Sequence, residues 1–214
     1  MGEKELRELI PIQAEWSIPQ LQENLAVALE GSGPALSTAS LRAKQVPNEI
    51  ALVVSTSGST GAPKAVAISS AALIASTNAS HKYLGATPGD SWSLLLPTTH
   101  IAGLNVLIRA TALGSRVIDN RNNDNYVDAD FVSIVPTQLY KALTSDAKLL
   151  EHLTAAEAVL VGGATLSEKI KKEAASSRTK LCRAIGDWSE CSGEALNCEE
   201  LHDISRCNSN LGER

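Results

Sequence analysis

The sequence predicts an α/β fold, a mostly parallel sheet flanked by helices, on three observations. Short apolar runs such as Ile50-Ala51-Leu52-Val53-Val54, Phe131-Val132-Ser133-Ile134-Val135 and Ala158-Val159-Leu160-Val161 have the length and β-branched content of buried strands. Other segments carry apolar residues at helical spacing between Ser or Pro starts and Gly stops. The two kinds alternate along the chain, which is the pattern of βαβ units.

The elements follow in order. Ile18 to Glu30 reads as a helix, with Leu21, Leu25 and Leu29 four residues apart. Ser17 caps it, Pro19 fits its first turn and Gly31 ends it. The stretch from Gly31 to Asn48 is rich in Gly, Ser and Pro and reads as a loop. A strand over residues 50–54 then leads into a Ser/Gly loop, and Ser69 to Tyr83 is a helix stopped by Gly85. Trp92 to Leu96 is a strand ending at Pro97, Ile101 to Leu113 an apolar helix ending at Gly114, and Arg116 to Ile118 a further strand. Phe131 to Val135 is a strand, and Pro136-Thr137 opens a helix through Leu143. Ala158 to Val161 is a strand closed by Gly162-Gly163, and Thr165-Leu166-Ser167-Glu168 is a capping box for a helix to about Ala175.

Composition narrows the function. The chain has 214 residues, enough for one domain or two small ones. Hydrophobic residues make up 43% and aromatic ones only 3%, so the core is built from Leu, Ile, Val and Ala. A net charge of −5 argues against nucleic-acid or anionic-membrane binding, which needs clustered positive charge. No apolar run reaches membrane-spanning length, and the charged start Met1-Gly2-Glu3-Lys4-Glu5-Leu6 has no signal core. The expected compartment is therefore the cytoplasm, where Cys182, Cys191, Cys198 and Cys207 stay reduced. Those cysteines lack C-x-x-C spacing and have only His202 nearby, which disfavours a zinc module.

The chemistry concentrates in Ser55-Thr56-Ser57-Gly58-Ser59-Thr60-Gly61-Ala62-Pro63-Lys64. Directly after a strand, this composition suits a loop that grips phosphate. Glycines let the backbone approach an anion, hydroxyls and N–H groups donate to it, and a lysine balances its charge. It is not the loop of P-loop NTPases, because Ala62-Pro63 separates Gly61 from Lys64.

The order of the ten residues resembles the signature loop of the adenylate-forming enzymes, which include acyl-CoA synthetases. Two later segments fit in family order. Leu96-Pro97-Thr98-Thr99-His100-Ile101-Ala102-Gly103-Leu104 resembles the motif whose His or aromatic residue lines the acyl pocket. Val159-Leu160-Val161-Gly162-Gly163-Ala164 resembles the element whose backbone lies against adenine and the acyl group. Within the superfamily, His100 to Ala110, the sequence Val135-Pro136-Thr137-Gln138-Leu139 and the early phosphate loop are similar to the short actinobacterial-type o-succinylbenzoate–CoA ligases of menaquinone biosynthesis.

The resemblance implies a partial N-terminal core of an adenylate-forming enzyme over residues 1–180. It implies ATP and Mg²⁺ as cofactors, CoA as co-substrate and a small-molecule carboxylate as substrate. The acid attacks the α-phosphorus of ATP, pyrophosphate leaves, and the CoA thiol then displaces AMP to give a thioester. Lys64, Thr60 and His100 become the expected catalytic residues. Thr56, Ser57, Gly58, Ser59, Thr60, Gly61 and Lys64, with Gly162, Gly163 and Ala164, become the nucleotide-binding ones. Glu190 takes the place of the family's metal-binding glutamate, although Ile185 stands where the family has tyrosine and Gly186 falls one residue early.

Residues 181–214 turn polar and cysteine-rich and form a divergent tail, disordered or frame-shifted, with the family's ribose-binding Asp motif and C-terminal lid domain absent. The alternatives to an active CoA ligase are an inactive nucleotide-binding remnant, an enzyme that passes its acyl group to a carrier protein, and a purely structural interaction domain, which leaves the loop unexplained.

Overall fold

Ser17 opens the first helix by reciprocal capping: its hydroxyl accepts from the Gln20 amide at 3.4 Å, and Gln20 Oε1 accepts from the Ser17 amide at 2.9 Å. A computed structural model describes residues 5–57, 63–123, 125–164, 166–177, 179 and 181–183. They fall into two compact units, one of residues 5–80 with Thr99–Ile101, the other of His81–Thr98 with residues 102–183.

The first unit starts with strand β1 (Leu6–Pro11) and helix α1 (Ile18–Glu30), which ends at Gly31 with φ +77°. Strands β2 (Ala35–Ser37), β3 (Gln45–Pro47), β4 (Ile50–Ser57) and β5 (Pro63–Ser69) follow, and helix α2 (Ser70–Leu84) begins here. The sheet order is β3-β1-β2-β4-β5, parallel across β1-β2-β4 and antiparallel at both edges. Its core gathers Leu9, Ala35, Val46, Ile50 and Val53. Arg7 is buried among them and donates to the carbonyls of Ala28 (2.9 Å), Asn48 and Ile50 (3.4 Å each) and Gly33. One guanidinium thus ties the end of α1 to β4.

The second unit is a parallel sheet. Strands β6 (Trp92–Leu94), β7 (Val117–Asp119), β8 (Phe131–Ile134), β9 (Ala158–Val161) and β10 (Leu181–Arg183) pair in the order β10-β9-β8-β6-β7, all parallel. Helices α3 (Ile101–Ala112), α4 (Pro136–Thr144), α5 (Ala147–Ala155) and α6 (Glu168–Ser176) connect or flank the strands. Val132, Ile134, Leu139, Leu149, Leu153, Val159 and Val161 pack into one core, and Trp92 meets Phe131 with ring centroids 4.9 Å apart. The expected mostly parallel sheet is thus two sheets, one wholly parallel and one with antiparallel edges.

Among its described residues the connection from β7 to β8 contains no helix. Residues 120–123 and 125–130 run as an irregular strap, held by a buried amide. Asn120 Nδ2 donates to Ser93 Oγ and to the Val127 carbonyl, both at 2.9 Å, while Asn120 Oδ1 accepts from the Val127 amide at 3.0 Å. Asp130 anchors the far end by accepting from the Ser91 amide and hydroxyl at 2.6 and 2.7 Å, which holds its carboxyl below the usual carboxylate range.

Several expectations need correction. The stretch read as a loop from Gly31 to Asn48 contains β2 and β3, too short for a periodicity test and fixed by pairing with β1. The ten residues read as a Ser/Gly loop are not all loop: β4 runs on through Ser57, and Pro63 and Lys64 already belong to β5. Helix α6 is capped by Ser167, whose hydroxyl accepts from the Ile170 amide at 3.3 Å, so Glu168 is its first residue and not the third of a capping box. Helix α5 was not foreseen. Asp146 caps it by accepting from the Leu149 amide at 3.0 Å.

Candidate nucleotide- and acyl-binding site

In the first unit, the two ends of the phosphate-loop sequence lie on paired antiparallel strands. Strands β4 and β5 pair as far as Thr56 opposite Lys64 and Ser57 opposite Pro63. Two of the residues expected to bind nucleotide, and the expected catalytic lysine, therefore share adjacent register positions at the hairpin mouth. Gly58, Ser59, Thr60 and Gly61 lie outside the described residues. His100 is exposed in the turn that runs from β6 to α3, one residue before the helix begins.

In the second unit, the relevant edge is the carboxyl end of the parallel sheet, where open α/β sheets bind ligands. Strand β9 leaves through Gly162-Gly163-Ala164. The Gly162 amide donates to the Ile134 carbonyl at 3.1 Å, which extends the β8–β9 ladder by one rung. Gly163 then turns with φ +94°, a conformation that side-chain-bearing residues rarely adopt. The expected glycine element is thus a sharp exit from the sheet that keeps its backbone bare.

Strand β6 leaves at the same edge toward Pro97. Gly103, in the first turn of α3, lies so close to this exit that a Cβ would drive into the carbonyl groups of Leu96 and Pro97. Gln138 reaches over from α4: its Nε2 donates to the Leu95 carbonyl at 3.2 Å and its Oε1 accepts from the Val135 amide at 3.1 Å. From the strap, Arg121 is paired with Asp119 at 2.7 Å and reaches Thr98 Oγ1 at 3.4 Å.

Sequence reasoning passed over Arg109. It is buried within the apolar face of α3, and burial pushes its pKa down to about 10. Its guanidinium makes no hydrogen bond or ion pair among the described residues, while its main-chain carbonyl lies 3.1 Å from His81 Nε2. A charged residue inside Val106-Leu107-Ile108-Arg109-Ala110 was the available signal.

Among the described residues no group of three His, Cys, Asp or Glu side chains is placed to hold a metal, and Glu190 lies outside them. No helix there is long and apolar enough to cross a membrane.

The profile of the AMP-binding enzymes matches residues 4–198. The chain belongs to the AMP-binding enzyme family. It is 36% identical over 199 residues to the probable 2-succinylbenzoate–CoA ligase of Mycobacterium tuberculosis, covering 82% of this chain and 50% of that one. It is 31% identical to the 2-succinylbenzoate–CoA ligase of Salmonella typhimurium, covering 73% and 36%. The chain thus spans half or less of the length of these curated relatives. Among solved structures, an acyl-CoA synthetase-like protein from Dyadobacter fermentans matches with a TM-score of 0.54 at 30% identity, covering 63% of this chain and 40% of that one. The o-succinylbenzoate coenzyme A synthetase of Bacillus subtilis, in complex with ATP and magnesium ion, shares the fold with a TM-score of 0.53 at 20% identity, covering 80% and 42%.

Proposed function

We propose that this AMP-binding protein is an acid–CoA ligase that activates o-succinylbenzoate at the expense of ATP, a cytoplasmic step of menaquinone biosynthesis. The observation that carries this reading is the hairpin register that sets Thr56 opposite Lys64 at the mouth of a Ser/Gly loop. It is supported by 36% identity to a probable 2-succinylbenzoate–CoA ligase over most of the chain.

The donor set fits a triphosphate. Hydroxyls of Thr56, Ser57, Ser59 and Thr60, with the glycine amides, donate to phosphate oxygens, and Lys64 supplies the counter-charge. As the substrate carboxylate attacks the α-phosphorus, negative charge moves onto departing pyrophosphate, and these donors stabilise it. Mg²⁺, with Glu190 as its proposed ligand, neutralises phosphate charge when bound. His100 borders the acyl group, and Gly162, Gly163 and Ala164 offer bare backbone to the adenine. The expected core of residues 1–180 extends through β10, because Leu181–Arg183 pairs with β9, and residues 184–214 are left as the divergent tail.

The substrate is a dicarboxylate, and only one of its carboxylates is activated. Arg109 is a buried cation with no partner among the described residues, and it suits the other carboxylate. The test is pyrophosphate release from ATP and Mg²⁺ by the purified chain, with and without o-succinylbenzoate. Release that depends on the acid is the expected result. ATP binding without release overturns catalysis by this chain. Transfer to a carrier phosphopantetheine but not to CoA overturns the CoA-ligase assignment.

A further inference from the structure

The sequence Val135-Pro136-Thr137-Gln138-Leu139 takes no part in the proposed reaction, yet the Gln138 amide makes two bonds at once, one as acceptor and one as donor. Its Oε1 accepts from the Val135 amide at 3.1 Å, and its Nε2 donates to the Leu95 carbonyl at 3.2 Å. The first bond caps α4 where Val135 has no side chain able to do so. The second joins that cap to the exit of β6. The β6–β8 ladder ends at Leu94 opposite Ser133, so the amide continues, by a side chain, a pairing that the backbone has given up.

Beyond Leu95 the chain is already confined. The carbonyls of Leu96 and Pro97 lie against Gly103 without room for a Cβ. The segment from Leu95 to Pro97 is therefore held by Gln138 on one side and by the first turn of α3 on the other. Only Thr98 to His100 spans the gap between these fixed points. The direction in which the chain leaves Leu95 sets where that turn carries His100.

We propose that Gln138 is a positioning residue for the acyl pocket, acting through the Leu95 carbonyl on the turn that carries His100. The proposal rests on the reading of His100 as a residue of that pocket. It makes the amide, and not merely helix capping, the reason for glutamine at this position. A glutamate would cap α4 equally well by accepting from Val135, but its ionised carboxylate cannot donate to Leu95.

The experiment compares wild type, Gln138→Glu and Gln138→Leu in the 214-residue chain, by thermal unfolding, by the assigned ring resonances of His100, His81 and His152, and by KM for the acid and for ATP. Gln138→Glu is expected to keep its unfolding midpoint within about 2 °C of wild type. Near neutral pH its His100 resonances shift while those of His81 and His152 stay, and KM for the acid rises about tenfold with KM for ATP unchanged. Both effects recede as pH falls through about 4.3, where an introduced glutamic acid takes up a proton and can donate to Leu95. Gln138→Leu shows the same two effects without recovery. Wild-type His100 resonances in both variants overturn the proposal, as does a shift in Gln138→Glu that ignores pH. If wild type itself releases no pyrophosphate, the ligase reading falls, and the His100 resonances alone decide whether Gln138 positions the turn.

Discussion

Ser93 Oγ and His152 Nε2 lie 2.9 Å apart in the interior of the second unit, where both residues are buried. Asn120 Nδ2 already donates to the same hydroxyl, so the arrangement that satisfies it has Ser93 donating to Nε2 and the ring proton on Nδ1, 3.8 Å from Asp128 Oδ1. Tyr126 stacks on the ring at 5.1 Å. The order Ser, His, Asp matches a hydrolase triad, but Ser93 is 0% exposed, so no substrate reaches it. The group is a brace between β6, α5 and the strap.

This brace makes stability depend on pH. Burial lowers the pKa of His152, and the Asp128 carboxylate opposes the shift only in part; burial also lowers the pKa of His81. The unfolded chain therefore takes up protons that the folded chain refuses as pH falls below about 6.5, and stability drops in that window. The slope reaches at most about 1.4 kcal/mol per pH unit for each histidine. Urea midpoints should fall between pH 7.5 and 5.5, and His152→Gln should flatten the dependence. An unchanged slope in that variant would show that His152 is not held neutral.

The two buried arginines should respond in opposite ways to one substitution. Arg7→Met removes a cation bonded to four carbonyls and is expected to cost about 1.5–3 kcal/mol or more. Arg109→Met removes a buried charge with no partner among the described residues, so its unfolding midpoint should hold or rise. The same variant should raise KM for the acid without changing KM for ATP. Equal destabilisation by both variants would mean that Arg109 has a structural counter-ion.

Gly103→Ala should destabilise by about 1–3 kcal/mol, because the new Cβ meets main-chain carbonyls that cannot swing aside as a side chain does. Chemical denaturation measures this directly, and a neutral result would show that α3 shifts freely away from the exit of β6.

At the hairpin mouth, Lys64→Ala combined with Thr60→Ala should cut the rate of pyrophosphate release by about 10²–10³ or more while the circular-dichroism spectrum stays unchanged. Unchanged adenylation would remove the loop from the reaction.

Much of this architecture was legible in the sequence because local signals and tertiary pairing agreed. Ser17 and Gly31 bound α1 as expected, since capping and left-handed backbone are local chemistry. The run from Ala158 to Val161 is a strand to the residue, because a fully buried parallel strand is apolar throughout. The illegible elements are those whose identity comes from a partner. Leu6–Pro11 carries charge at Arg7 and Glu8, and it is a strand because β2 and β3 lie on either side of it. Lys64 reads as a loop residue and is a strand residue because β4 pairs with it.

By itself, the sequence determined the family, the order of alternating strands and helices, and the residue types offered to a phosphate, since these depend on composition and on spacing along the chain. Tertiary structure alone decided that Gln138 grips Leu95, that Gly103 must stay bare, that Arg109 is buried with no counter-charge among the described residues and that Ser93 and His152 form a closed brace. Each of these joins residues distant in sequence or depends on the packing around one of them. Hydrogen bonds, steric exclusion and desolvation act on distance in space, which spacing along the chain does not encode.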